Sequence, residues 1–145
     1  MSSPFRLIPE AVRCASCADK RAILGELADG FAAAYALDAD AVLDALRERE
    51  ALGSTGFGRG VAMPHARLDT VEEPLAMLLH LDHDVDFEAA DGVPVRLVMG
   101  LISPSDAGAR HLHALAAMSR MTRDERVLHP LFEAQSEEEM SAIIE

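Results

Sequence analysis

Tryptophan is absent from this chain and Tyr35 is its only tyrosine. Its core must therefore be packed from Leu, Ile, Val, Met, Ala and five phenylalanines. Positive charge is also scarce: 13 Lys and Arg face 25 Asp and Glu, a formal net charge of -12. That balance argues against general binding to nucleic acid or to anionic membrane surfaces. No apolar run reaches membrane-spanning length, and Met1 to Glu10 lacks the basic and apolar regions of a signal peptide. A cytoplasmic location is the default expectation. Cysteine is limited to Cys14 and Cys17, one Cys-Ala-Ser-Cys pair without a second pair to complete a metal site. It also lacks the strand-to-helix setting of a redox motif, so the pair is read as incidental.

What is present is a large apolar fraction, half of 145 residues, enough for one domain spanning 1–145. Phe5 to Pro9 reads as a turn and Val12 to Cys14 as extended chain. Asp19 is placed to cap a helix over Lys20 to Tyr35, with Leu24, Leu27, Phe31 and Tyr35 near one face. A second helix starts at Asp38 or Asp40, turns Val42, Leu43 and Leu46 inward and leaves Arg47, Glu48 and Glu50 outside. The glycines after Leu52 end it. Strands are predicted over Val61 to Pro64, Leu75 to Leu81 and Val95 to Ile102, the last two apolar enough to be covered on both faces. Asp91-Gly92 supplies a turn. Ala107 to Met121 is helical, with Leu112, Leu115 and Met118 lining one side. Helices near Asp124 to Ala134 and Glu137 to Ile144 follow, with Asp124 and Ser136 as caps. The order predicts a three-layer α/β/α domain around a small mixed β-sheet.

The densest signal runs from Arg49 to Arg67. Gly53, Gly56, Gly58 and Gly60 point to close backbone approach or unusual dihedrals. Val61-Ala62-Met63 then reads as a buried strand ending at Pro64 and His65. A histidine at a strand end beside a glycine-shaped loop, among arginines, can act as a nucleophile near neutral pH. A structural histidine in a tight loop is the competing reading. A phosphoryl group on such a ring needs an unprotonated nitrogen and donors for its oxygens. Arg49, closing the second helix, is preferred to Arg59 as that donor, while Arg59 is free to meet a partner. Ser54 and Thr55 offer hydroxyl or amide donors, or simply build the turn. His111, early on the long helix, is the second candidate, and His113 turns away from it. His80 and His83 stand among carboxylates, but across a strand end rather than on one helical face, so no metal site is read there. His129 beside Pro130 is assigned to the surface or to a cap.

These residues carry a resemblance. Arg47-Glu48-Arg49-Glu50, Leu52-Gly53-Ser54-Thr55-Gly56, Gly58 and Gly60-Val61-Ala62-Met63-Pro64-His65 are similar to the enzyme IIA domains of the fructose-mannitol class of the phosphoenolpyruvate-dependent phosphotransferase system. Val85-Asp86-Phe87, Asp91-Gly92-Val93-Pro94-Val95, His111-Leu112 and the tail Ala134 to Glu139 continue the match, and the nitrogen-regulatory branch is the nearest. The resemblance implies that His65 accepts a phosphoryl group on Nε2 from a phosphorylated HPr-like carrier, HPr or its nitrogen-related paralogue. It implies that His111 assists phosphate binding and that Arg49 is the active-site arginine, with no metal or organic cofactor. Ser54 and Thr55 are then phosphate-positioning candidates, and Arg59 and Arg67 candidates for partner docking. Regulatory target proteins are the expected partners; a sugar-specific IIA passing phosphate to a IIB component, or an unphosphorylated binding module, are the alternatives. A homodimer is left open. Arg59, where the branch often has Asn, and Ala66, in place of a frequent Gly, depart from the pattern.

Overall fold

The computed structural model describes residues 4–106 and 108–144. A mixed sheet runs through the middle, in the order β1 (Val12–Ala15), β5 (Leu75–Val85), β6 (Val95–Pro104), β3 (Val61–Ala62), β2 (Gly56–Gly58), with β4 (His65–Leu68) also on β6. β5 and β6 are antiparallel; β1 is parallel to β5, and β3 and β4 are parallel to β6. Helices α1 (Lys20–Tyr35) and α2 (Ala39–Ala51) cover one face. Helices α3 (Gly108–Arg123), α4 (Glu125–Glu133) and α5 (Glu137–Ile144) cover the other. The expected three layers and mixed sheet are what the chain forms.

The alternation of side chains across the central strands builds two cores at once. Met77, Leu79 and Leu81 of β5 pack with Ile23, Leu27, Phe31, Val42 and Leu46 of α1 and α2. Ala76 and Leu78 point the other way, with Leu97, Met99 and Leu101 of β6, toward Ala114, Met118, Leu131 and Met140. Caps set the helix starts: Asp19 accepts from the Ala22 amide, Asp38 from Asp40, Asp124 from Arg126 and Ser136 from Glu139.

Several boundaries differ from expectation. The strand predicted to end at Pro64 stops at Ala62 and resumes at His65, because the chain stays on β6 across the break: Leu101 N–H donates to the Pro64 carbonyl at 3.0 Å. β5 continues past Leu81 through the polar Asp82-His83-Asp84 to an irregular register at Val85. On α3, Leu112 is 67% exposed instead of facing the core; His111, Ala114, Ala117, Met118 and Thr122 form the buried face. The predicted first residue of that helix, Ala107, lies outside the described residues. Glu50, expected outside, has a side chain only 7% exposed, covered by partners described below.

Candidate functional site

The glycine-rich hairpin brings the chain to β4. Gly60 has φ +86°, and a Cβ there would stand 3.1 Å from the Phe132 ring; a Cβ on Gly56 would meet Ala89 at 2.8 Å. Both positions therefore exclude larger residues. Pro64 follows Met63 and has no N–H to give the ladder. The Met63 amide turns to the Thr55 carbonyl at 2.9 Å, on the side of the strand away from β6, and the Met63 carbonyl accepts from His65.

That last contact defines the histidine. His65 Nδ1 lies 2.8 Å from the Met63 carbonyl, which can only accept, so Nδ1 carries the proton. Nε2 is left with its lone pair, and Arg49 Nε–H donates to it at 3.2 Å. Burial holds the His65 pKa below its ordinary value; the Met63 carbonyl works in the opposite direction and Arg49 adds to the lowering. The ring is thus neutral at pH 7, with a bare nitrogen beside a guanidinium.

Arg49 comes from the last turn of α2, where a cation also suits the helix dipole. Its Nη1 donates to the Gly53 carbonyl at 3.0 Å, so two contacts fix the guanidinium. The loop that offers Gly53 is tied down by Glu50, a residue the sequence reading left on the surface. The Glu50 carboxylate accepts from the Thr55 amide and hydroxyl at 2.8–3.0 Å and pairs with Lys20 Nζ at 3.2 Å. Lys20 also sits over the Phe87 ring, 4.9 Å from its centre. Ser54 Oγ donates to the Phe87 carbonyl at 2.7 Å and accepts from the Gly56 amide. Both hydroxyls are thus engaged inside the loop.

His111 approaches from α3. Its ring centre is 5.6 Å from that of His65, with the planes tilted by 48°. It is 6% exposed, and Nδ1 lies 2.8 Å from Ser103 Oγ. Burial, then the neighbouring His65 and Arg67, hold its pKa down to about 4. Ala45, Glu48, Arg49, Leu52, His65, Ala66, Arg67 and His111 line one cleft of about 320 Å³, so three helix and strand ends converge on it. Leu52, 84% exposed, stands at its mouth. Arg59 is elsewhere: at the hairpin turn, with φ +60°, its amide donates to Asp91 and its guanidinium pairs with Glu125 of α4.

The other histidines stay apart. His80 Nε2 bonds the Phe132 carbonyl at 3.1 Å and His83 Nδ1 bonds Asp82, while His113 and His129, the latter inside α4, are exposed. Among the described residues, no group of three or more His, Cys, Asp and Glu is placed to hold a metal ion. Cys14 and Cys17 are free thiols; burial, followed by nearby carboxylates, pushes both pKa values up, which disfavours thiolate chemistry. Glu50, Lys20 and Ser103 are the site's unforeseen members. Only the acid following Arg49 in the chain offered a hint of the first.

Comparison with known proteins gives this geometry its context. The family model for the phosphoenolpyruvate-dependent sugar phosphotransferase system, EIIA 2, matches residues 8–145. A nitrogen regulatory protein of Bradyrhizobium diazoefficiens is 41% identical over 124 residues, covering 85% of this chain and 81% of the relative. A fructose-specific EIIA component of Haloferax volcanii is 37% identical over 107 residues, covering 74% and 70%. Among solved structures, the nitrogen regulatory protein IIA-Ntr of Neisseria meningitidis superposes with a TM-score of 0.87 at 29% identity, over 96% of each chain. The mannitol IIA of Escherichia coli shares the fold, with a TM-score of 0.81 at 21% identity over 97% of this chain and 100% of that one. A neutral histidine with a bare, arginine-bonded nitrogen suits a family that transfers phosphate by way of a histidine. The chain belongs to the phosphotransferase-system EIIA type 2 family and is closely related, within it, to the nitrogen-regulatory IIA phosphocarriers.

Proposed function

We propose that this chain, acting as one IIA domain, accepts a phosphoryl group on Nε2 of His65 from a phosphorylated HPr-like carrier. The observation that carries the proposal is the Nδ1–H to Met63 carbonyl bond, which leaves Nε2 unprotonated and aimed at Arg49. Transfer breaks the N–P bond on the donor histidine and forms one at His65 Nε2. The His65 ring keeps its Nδ1 proton and gains positive charge, which the Met63 carbonyl faces. Arg49 moves its donors from Nε2 to the phosphoryl oxygens, and His111 supplies a second donor across the cleft. Ser54 and Thr55 act on phosphate through the loop they build, which holds the Gly53 carbonyl against Arg49. Arg67, in the cleft, meets the incoming carrier; Arg59 does so at the hairpin turn once its pairing with Glu125 is exchanged.

Family membership implies an HPr-like donor and downstream regulatory targets. The nitrogen-related HPr paralogue is the donor we favour, with phosphate at His65 changing the charge of the surface that targets read. No described helix is long and apolar enough to cross a membrane, and a cytoplasmic site of action fits a carrier of this class. The fructose-specific relative supports a second reading, in which phosphate passes on to a IIB component.

Incubation with phosphoenolpyruvate, enzyme I and each candidate HPr, followed by intact mass and mapping of acid-labile phosphopeptides, tests the proposal. One phosphate on His65, lost in His65→Ala, is the expected result, and donor preference separates the two branches. No labelling of folded protein by any carrier leaves an unphosphorylated binding module as the better account.

A further inference from the structure

A buried hydroxyl needs an acceptor for its proton, and Ser103 has few to choose from. It lies in β6 with no solvent exposure. It is the register partner of Arg67, two residues along from Leu101, the partner of His65. Strand partners share a face, as do residues two apart on one strand, so His65, Arg67, Leu101 and Ser103 all project to the α3 side. There the Ser103 hydroxyl makes one hydrogen bond among the described residues, the 2.8 Å contact with His111 Nδ1.

Two polarities fit that distance. If Nδ1–H donates to Oγ, the serine proton is stranded in a dry site, which costs free energy. If Ser103 O–H donates to Nδ1, each group is satisfied and the ring proton sits on Nε2. Because burial keeps His111 neutral at pH 7, the ring has a single N–H, and its location decides what the ring offers. With Nδ1 turned to the sheet, Nε2 is the nitrogen left for the cleft that His111 shares with His65.

We propose that Ser103 is a positioning residue: its hydroxyl donates to Nδ1 and holds His111 as the Nε2–H tautomer, so that an N–H rather than a lone pair meets phosphate on His65. On the functional reading above, in which His111 binds the phosphoryl group, the opposite tautomer would set a lone pair against anionic oxygens.

Protein labelled with ¹⁵N at histidine, studied by long-range ¹H–¹⁵N correlation at neutral pH, reports the tautomer directly. Rates of transfer from the phosphorylated HPr-like carrier give kcat and KM in parallel. The native chain is expected to show His111 protonated on Nε2. Ser103→Ala is expected to populate the Nδ1–H form and to lower kcat about tenfold at unchanged KM. Ser103→Thr, which keeps the hydroxyl, is expected to restore both. His111 still protonated on Nε2 in folded Ser103→Ala, or a changed tautomer at undiminished kcat, overturns the proposal. His111→Gln separates two failures. Unimpaired transfer there overturns the phosphate-binding role of His111 itself. Impaired transfer there with normal transfer in Ser103→Ala overturns the part of Ser103 alone.

Discussion

Strand β6 has a neighbour on each side, and the two are built on opposite plans. β5 runs unbroken from Leu75, its residues alternately filling the α1–α2 core and the α3–α5 core. The other side is β3, a break at Met63–Pro64, then β4. Almost every residue of β5 from Leu75 to Leu81 is buried and none enters the cleft. The broken side buries less and carries His65. The comparison teaches what an interruption supplies. At the break the Pro64 carbonyl keeps the β6 ladder, while the Met63 carbonyl, turned to the Thr55 side of the strand, is available to fix the protonation of the His65 ring. Core packing and the candidate site thus fall to different neighbours of one strand.

Each side of that division can be damaged alone. Leu79 is fully buried against α1 and α2. Leu79→Ala removes its contacts and leaves a cavity, an expected loss of about 2–5 kcal/mol in urea unfolding. The folded fraction is expected to accept phosphate at the native rate. A tenfold slower transfer in fully folded Leu79→Ala would break the comparison, since the core strand would then be tuning the site.

Arg49→Lys makes the converse cut. Lysine keeps the charge but not the two donors that reach His65 Nε2 and the Gly53 carbonyl together. Transfer is expected to fall about tenfold, the worth of one hydrogen bond to a charged group. Unfolding is expected to stay within about 0.5 kcal/mol of native, as for most half-exposed positions. Stability loss as large as that of Leu79→Ala, measured in the same urea series, would show that Arg49 serves the fold first.

The same division explains what the sequence could reveal. The β5 and β6 runs, the caps at Asp19, Asp38 and Asp124, and the three layers follow from local pattern and were legible. So was His65 in its candidate site, because Met63, Pro64 and His65 are consecutive in the chain and the Met63 carbonyl bonds the ring there. β4 was not, since Pro64 reads as a stop and only pairing with β6 carries the strand through it. Leu112 was misassigned because helical spacing ranks apolar residues without knowing that His111 occupies the buried face. Glu50 looked like a solvated acid; Lys20 and Thr55, which bury it, come from another helix and from the loop beyond. Ser103 carried no signal at all, because a serine in an apolar strand gains meaning only from the ring packed over it.

The smallest expected effect sharpens the comparison through pH. His65 and His111 both have pKa values held below the ordinary histidine value, chiefly by burial. Above about pH 7.5 they are neutral in folded and unfolded chains alike and contribute nothing to the pH dependence. As pH falls below that, the unfolded chain binds protons that the folded chain refuses, so stability declines, and for His111 the window extends down to about pH 4. The depressed carboxylates of Asp82, Asp91 and Asp124 also lose their stabilisation on acidification, but only as pH falls below about 4. The interval from pH 6.5 to 5 therefore isolates the histidines. Urea midpoints of the native chain are expected to drop across it, and those of His111→Gln to drop less. Leu79→Ala is expected to lie below the native curve by the same amount at both ends, because the substitution adds and removes no titratable group. An identical slope for native and His111→Gln would mean that His111 takes up its proton in the folded protein as readily as in the unfolded one. The cleft would then be wet enough to charge both rings, and the division between a dry, structural neighbour of β6 and a poised, reactive one would lose its electrostatic half.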